Sequence, residues 1–335
     1  MFKSCWSAPS NIAFVKYWGK KGEQLPINPS VSGTLKHCRS ITSLEVLTEQ
    51  QEFDLKFTFE GEPSDKFQIK ILSKFEKYFL SEIPKLNNLS IRIDSRNTFP
   101  HSCGIASSAS FYASLALNLT ELEGSFPVDS PEFYQRASYL SRLGSGSACR
   151  SLYGPITAWG DDSFDYANPW DEIHDDFIGM MDFVCLVSSR EKTVSSSVGH
   201  ALMEEHPYKE RRIQVANENF KRSQDVLRSG DWKSFSEILE EEANQLHGMM
   251  MMSRPSFYLL EKNSVELIQK LREWRESENI RVGYTIDAGP NIHILCHRDE
   301  TEKVRSFIEA NKNLLENGRY IEDEISGKVE RMNEL

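Results

Sequence analysis

The spacing of apolar positions divides the chain into short strand-like and helix-like stretches. Residues 40–60 alternate in the manner of strands, with Ile41, Leu44 and Val46 followed by Phe53, Leu55, Phe57 and Phe59. Residues 65–80 read as a helix and 89–93 as a strand. A second helix carries Phe111, Tyr112, Leu115 and Leu119 on one face, and a third spans 132–143 up to the break Gly144-Ser-Gly-Ser147. The acidic stretch 161–176 reads as a surface loop near a domain junction, and the apolar run 183–188 fits a buried strand. Helical patterns fill 208–246 and 256–277, with the methionines at 249–252 read as core filler. Residues 281–286 and 291–296 pair as strands about the turn Asp287-Ala-Gly-Pro290, and a helix over 302–315 precedes a polar tail. Strands and helices mix without regular βαβ alternation, so the pattern predicts an α+β protein in two lobes, 1–180 and 181–335.

Composition adds limits. With 39% hydrophobic and 27% charged residues, the 335-residue chain reads as globular. A formal net charge of −11 argues against nucleic acid and anionic membrane surfaces as main partners. An acidic protein that handles phosphates must therefore concentrate its cations locally. The six cysteines are scattered without a CxxC pair, which suits a reducing compartment rather than a disulfide framework or a zinc ribbon. No signal-like segment or membrane-length apolar run is present, and the expected location is cytoplasmic.

Four polar islands interrupt the pattern. In the first, Ala8-Pro-Ser-Asn-Ile-Ala-Phe-Val-Lys-Tyr-Trp-Gly-Lys20, a strand over 12–18 would put Lys16 and Trp18 on one face. A lysine in such a strand is costly to bury unless an anion meets it; an edge lysine reaching solvent is the alternative. The second island, 97–110, runs through Gly104, Ile105, Ala106, Ser107 and Ser108 into a helix. Unpaired N–H groups and the helix dipole there favour an anion, and the two hydroxyls could bind phosphate oxygens or Mg²⁺. A serine-capped helix after a turn fits the same residues. No Gly-Lys-[Ser/Thr] ends the loop, so it is not a Walker A motif. In the third island, Leu143-Gly-Ser-Gly-Ser-Ala-Cys-Arg-Ser-Leu-Tyr153, two Gly-Ser pairs and the planar fork of Arg150 suit a carboxylate or phosphate. The fourth, Tyr284-Thr-Ile-Asp-Ala-Gly-Pro-Asn291, puts Asp287 at a strand end, as a base or orienting carboxylate or as the cap of an Asx turn. His293 and His297 stand about 13 Å apart along a strand and are poor co-ligands for one metal.

Together the islands, with Val194-Ser-Ser-Ser-Val-Gly199, resemble the diphosphomevalonate decarboxylase family of the GHMP small-molecule kinase superfamily. The Lys-Tyr-Trp-Gly-Lys and Gly-Ser-Gly-Ser-Ala-Cys-Arg segments carry the resemblance most specifically. It departs most in the phosphate loop, where His101-Ser-Cys-Gly-Ile replaces Pro-Thr-Ala-Ala-Gly-Leu and a glycine expected after the serine pair is replaced near Ser110-Phe111. The resemblance implies a two-lobed GHMP-kinase-like fold, with an N-terminal lobe like the second domain of ribosomal protein S5 and a ferredoxin-like C-terminal lobe. It also implies a homodimer.

The implied reaction is the ATP- and Mg²⁺-dependent decarboxylation of mevalonate 5-diphosphate to isopentenyl diphosphate. ATP phosphorylates a tertiary 3-hydroxyl, the phosphate leaves, and the carboxylate departs as CO₂. In that reading Asp287 orients or deprotonates the hydroxyl, and Arg150, supported by Asn11, holds the carboxylate. Lys16, Tyr17, Lys20, Ser145, Ser147 and Ser196 hold the substrate's own phosphates or neighbouring groups. Ser107 and Ser108, with the amides of Gly104 to Ala106, cradle ATP and Mg²⁺. The alternatives are a mevalonate 5-phosphate decarboxylase, a 3-kinase that stops at phosphorylation, and a silent paralogue that only binds isoprenoid phosphates.

Overall fold

A computed structural model of the chain describes residues 2–100, 105–190 and 194–335. Its strands are β1 (Lys3–Val15), β2 (Lys20–Lys21), β3 (Leu25–Pro26), β4 (Ser30–Glu49), β5 (Asp54–Phe59), β6 (Glu62–Pro63), β7 (Leu89–Asn97), β8 (Ile156–Trp159) and β9 (Ala167–Pro169), then β10 (Met181–Cys185), β11 (Val282–Thr285), β12 (Ile292–Cys296), β13 (Tyr320–Glu324) and β14 (Glu330–Arg331). The first large sheet runs β14-β1-β4-β7-β5-β6, with β8 and β9 joined to the start of β4. All its pairs are antiparallel except β5 with β7. Besides β1, the long β4 serves two partners, since its first residues pair with β8 and its last with β7.

The helix expected over 65–80 forms as α1 (Asp65–Lys74), a π-turn and α2 (Leu80–Glu82). Helices α3 (Ser107–Glu123) and α4 (Pro131–Gly144) cover the same sheet. Leu115 and Leu119 of α3 pack into one buried cluster with Leu44, Ile91 and Ile93.

The second sheet, β11-β12-β10-β13, is antiparallel throughout. Alternation decides what each of its faces meets. Phe183 and Cys185 of β10, with Ile292 and Ile294 of β12, pack against α8 (Lys262–Glu278) and α9 (Thr301–Ala310) through Leu267, Leu271 and Phe307. Val184 and Leu295 face the other way. They share a core with Phe14 and Val31 of the first sheet and with Phe220 and Leu239, which come from α6 (Lys209–Ser229) and α7 (Trp232–Met252). One apolar core therefore spans the two sheets.

Three expectations change. The first strand begins at Lys3 and stops at Val15, short of Lys16, with bulges between Pro9 and Asn11 and between Ala13 and Val15. The loop over 161–176 contributes β9, whose Ala167 is buried. The polar tail is two strands: β13 adds to the second sheet, and β14 returns to pair with β1. The tail reads as polar because one of its core positions is a carboxylate. Asp323 is 1% exposed and accepts from the N–H groups of His37 (2.9 Å) and Cys38 (2.8 Å), tying β13 to β4.

Replacing Asp323 by Ala removes the acceptor of three backbone N–H groups, those of His37, Cys38 and Glu324. It is expected to cost about 1–3 kcal/mol, read as a lower urea midpoint at unchanged slope.

Candidate active site

Past β1 the chain leaves its ladder because other groups claim the Lys16 peptide. Its N–H donates to Glu242 Oε2 at 2.8 Å, and its carbonyl accepts from Asn28 Nδ2 at 3.0 Å and Arg212 Nη2 at 3.2 Å. Glu242 and Arg212 are both buried and pair at 2.6 Å, and Asn219 Nδ2 supports the carboxylate at 2.9 Å. Thus α6 and α7 grip the backbone where it leaves the first sheet.

From that anchored peptide the Lys16 side chain, 2% exposed, reaches Asp287 with Nζ to Oδ1 at 2.7 Å. The anion expected opposite this lysine is the protein's own carboxylate. Burial pushes the ammonium's pKa down; Asp287 and then Glu242 oppose that shift, while Arg150 adds to it. Asp287 follows β11, and its carbonyl accepts from His247 Nε2 at 3.1 Å. Its side chain remains 31% exposed, open to the cleft.

Arg150 sits in the 3-10 turn Gly146–Ser151 and is buried. Nε donates to Ser32 Oγ (3.0 Å), Nη1 to Ser30 Oγ (2.7 Å) and Nη2 to Asn11 Oδ1 (3.5 Å). Asn11 is fixed in turn by Nδ2 bonds to the Ser147 carbonyl (3.1 Å) and Ser151 Oγ (2.8 Å). The guanidinium lies 6.0 Å from the Tyr17 ring centre and 5.9 Å from that of Trp159. Burial pushes its pKa down. Among the described residues no carboxylate hydrogen-bonds to it, although the charge of Asp287 opposes the downward shift, so a buried cation faces the cleft with only neutral hydrogen-bond partners.

The anion loop closes the other side. Ser10 Oγ donates to the Ile105 carbonyl at 3.0 Å, and Ala106 stands at φ 26°, ψ 44°, a region costly for a residue with a Cβ. Helix α3 starts directly after it with Ala106 at the cap position, so the serine-capped alternative is not met; the Ala109 N–H turns back to the Ala106 carbonyl at 2.7 Å, and among the described residues no side chain caps the N–H groups before it. Ser108 Oγ lies 3.5 Å from Ser145 Oγ. Phe111, near the missing glycine, packs edge-on against Phe57 at 6.0 Å. Lys70 lines the cleft, and Lys20, Lys74 and Lys77 lie close enough to one another for their charges to interact; none of the four is paired with a carboxylate among the described residues. Burial, then Lys20 and Lys77, pushes Lys74 down to about 8.

These groups surround a cleft of about 450 Å³. Asn11, Lys16, Tyr17, Ile105, Ala106, Ser107, Ser108, Ser147, Arg150, Ser196 and Asp287 all line it. Lys20 and Ser145 are not among the lining residues; Lys20 bonds to Gln24 Oε1 at 2.8 Å. Gly104 lies outside the described residues. His293 turns away to pair with Asp182 at 2.7 Å, whereas His297 Nδ1 accepts from the Asp299 N–H, so they do not converge. Among the described residues no group of three or more His, Cys, Asp or Glu is set for a metal. Sequence reasoning missed Glu242, Arg212, Lys70 and His200. Only His200 carried a local signal, following directly on the Val194-Ser-Ser-Ser-Val-Gly199 segment.

A cleft joining a helix-start anion loop to a buried guanidinium and a carboxylate–ammonium pair, on two α+β sheets, defines an enzyme of the GHMP-kinase-like class. Comparison with known proteins narrows this. A diphosphomevalonate decarboxylase-like N-terminal domain model matches 8–167, and a mevalonate 5-diphosphate decarboxylase C-terminal domain model matches 183–333. Diphosphomevalonate decarboxylase of Ganoderma lucidum is 30% identical over 92% of this chain and 82% of its own length. That of Saccharomyces cerevisiae is also 30% identical, over 90% and 80%. The mevalonate diphosphate decarboxylase structure from Staphylococcus aureus is 28% identical with a TM-score of 0.86, covering 99% of this chain and 98% of its own. The one from Legionella pneumophila is 30% identical with a TM-score of 0.79, covering 96% and 100%. The chain belongs to the diphosphomevalonate decarboxylase family.

Arg212→Leu leaves Glu242 charged and buried without its partner, at an expected cost of about 3–5 kcal/mol. Urea unfolding checks this, and adding Glu242→Leu is expected to recover part of the loss.

Proposed function

We infer that the chain catalyses the ATP-dependent decarboxylation of mevalonate 5-diphosphate to isopentenyl diphosphate, with ADP, phosphate and CO₂ as the other products. The carrying observation is Arg150, a buried guanidinium without a carboxylate partner among the described residues, facing the same cleft as Asp287. A kinase that only phosphorylates a hydroxyl has no use for such a carboxylate clamp; a decarboxylase needs one. The names of the family's relatives support the diphosphate over the monophosphate.

The nucleotide half fits ATP and Mg²⁺ by its donors. The start of α3 is uncapped, the Ser107 and Ser108 hydroxyls are beside it, and the unpaired lysines supply charge an acidic protein otherwise lacks. The amides of Ile105 and Ala106 would join them, with Ser107 and Ser108 as the groups for Mg²⁺. ATP supplies the phosphoryl group that makes the 3-hydroxyl a leaving group.

The protein's own work is positioning and charge balance. Asp287 receives or orients the hydroxyl proton, and Lys16, at 2.7 Å, balances the carboxylate's charge without an approach from solvent. Arg150 and Asn11 hold the substrate carboxylate rigidly, because Ser30, Ser32, Ser147 and Ser151 fix both side chains. Holding it until C3 becomes electron-poor couples loss of CO₂ to departure of the phosphate. Tyr17, Lys20, Ser145, Ser147 and Ser196 take the substrate's own phosphates. The two lobes at 1–180 and 181–335, a homodimer and a cytoplasmic location belong to the same reading. The buried free cysteines Cys5, Cys149, Cys185 and Cys296 support a reducing compartment, and the family resemblance supports the dimer.

Asp287→Asn is expected to lower both ADP and CO₂ formation by about 10²–10⁴-fold. Arg150→Lys keeps the charge but loses the fork, and is expected to lower CO₂ release more than ADP formation. Both are assayed with mevalonate 5-diphosphate and 5-phosphate in parallel. A wild-type preference for the 5-phosphate would overturn the substrate assignment.

A further inference from the structure

We propose that His200 is a substrate-binding residue of this cleft, a neutral imidazole held in one tautomer that donates Nε2–H to a phosphate oxygen of the substrate. The inference rests on the function proposed above and adds to it a recognition group outside the expected set.

The ring is built into place. His200 lies in the short helix α5 (Ser196–Ala201) and lines the cleft. Its ring stands between two aromatic neighbours, Tyr17 at 4.5 Å and 40° and Trp18 at 4.7 Å and 37°. Two glycines permit this. A Cβ on Gly199 would come within 2.4 Å of the Trp18 ring, so no larger residue fits beside that indole. Gly19 sits at φ +94°, and a Cβ there would meet Ile27 at 2.3 Å. That conformation delivers the Gly19 N–H to His200 Nδ1 at 2.9 Å.

An amide N–H can only donate, so Nδ1 must carry the lone pair and the single proton of the neutral ring sits on Nε2. Among the described residues Nε2–H has no acceptor, yet the ring borders the cleft. A donor on a ring that borders a binding space, without a protein acceptor among the described residues, is a recognition group awaiting one.

The surroundings keep the ring neutral. The charged groups acting on it are Lys20 of β2 and Arg150 of the 3-10 turn, both cationic. Burial, then these two charges, pushes the imidazole down to about 3. The Tyr17 phenol is pushed up by burial and stays uncharged. An imidazolium here would add a further cation beside Lys20 and Arg150. A neutral N–H instead suits a phosphate oxygen whose charge Lys20 already balances, while Arg150 takes the carboxylate. The donor therefore does not switch off as pH rises through 6.5, the ordinary histidine value.

The test uses the full-length protein labelled with ¹⁵N-histidine, with His200→Gln assigning the resonances. Expected is an Nε2-protonated ring that does not titrate around pH 6.5 and whose Nε2–H moves when inorganic pyrophosphate is added. His200→Leu is expected to raise KM for mevalonate 5-diphosphate about tenfold, with kcat falling by a smaller factor. A ring that titrates near 6.5, carries its proton on Nδ1, or ignores pyrophosphate overturns the proposal, whether or not the variants fold. Pyrophosphate binding at His200 without CO₂ release would instead overturn the proposed reaction and leave this assignment standing.

Discussion

The site depends on one interaction across the two sheets, the 2.7 Å pair between Lys16 and Asp287. Lys16 comes from the end of β1 in the first sheet, Asp287 from the end of β11 in the second. A buried ammonium tolerates that position only with an anion beside it. The grip of Glu242 and Arg212 on the Lys16 peptide fixes where the ammonium can reach. The shared core of Phe14, Val184, Phe235 and Leu295 fixes how the sheets meet. The cleft lies where these constraints coincide.

Around this pair, charge is sorted by function. Arg150 is held only by neutral hydroxyl and amide oxygens, which orient it without neutralising it. The anion loop offers amides and hydroxyls, and the lysines near it lack carboxylate partners among the described residues. A chain of net charge −11 thus places several cations without carboxylate partners, among the described residues, at this cleft. His200 fits this order as a donor that adds direction without adding charge.

Much of this was legible in the sequence, for identifiable reasons. The paired strands around Asp287, the helix after the serine loop and the buried strand at 183–188 follow from local period and turn chemistry, and all are present. Lys16, Arg150 and Asp287 stood out as charged groups in the polar islands, Asn11 entered through the family resemblance, and the structure brings all four to one cleft. What stayed hidden depends on partners distant in the chain. The end of β1 at Val15 is set by Glu242, more than two hundred residues away. Strand β13 puts the buried Asp323 where an apolar residue would have signalled a core. The role of His200 appears only once α5 lies against Tyr17 and Trp18. The anion at Lys16 was foreseen by type but not by identity, because composition does not distinguish a bound ligand from a carboxylate of the same chain.

The most direct measurement is the amount of CO₂ released per ADP formed by the wild-type protein supplied with mevalonate 5-diphosphate, ATP and Mg²⁺. The proposed clamp on the carboxylate and the proposed action of the carboxylate–ammonium pair at the hydroxyl, in one cleft, predict equal amounts of the two products. ADP accumulating without CO₂ would contradict the account, because Arg150 would then hold no departing carboxylate.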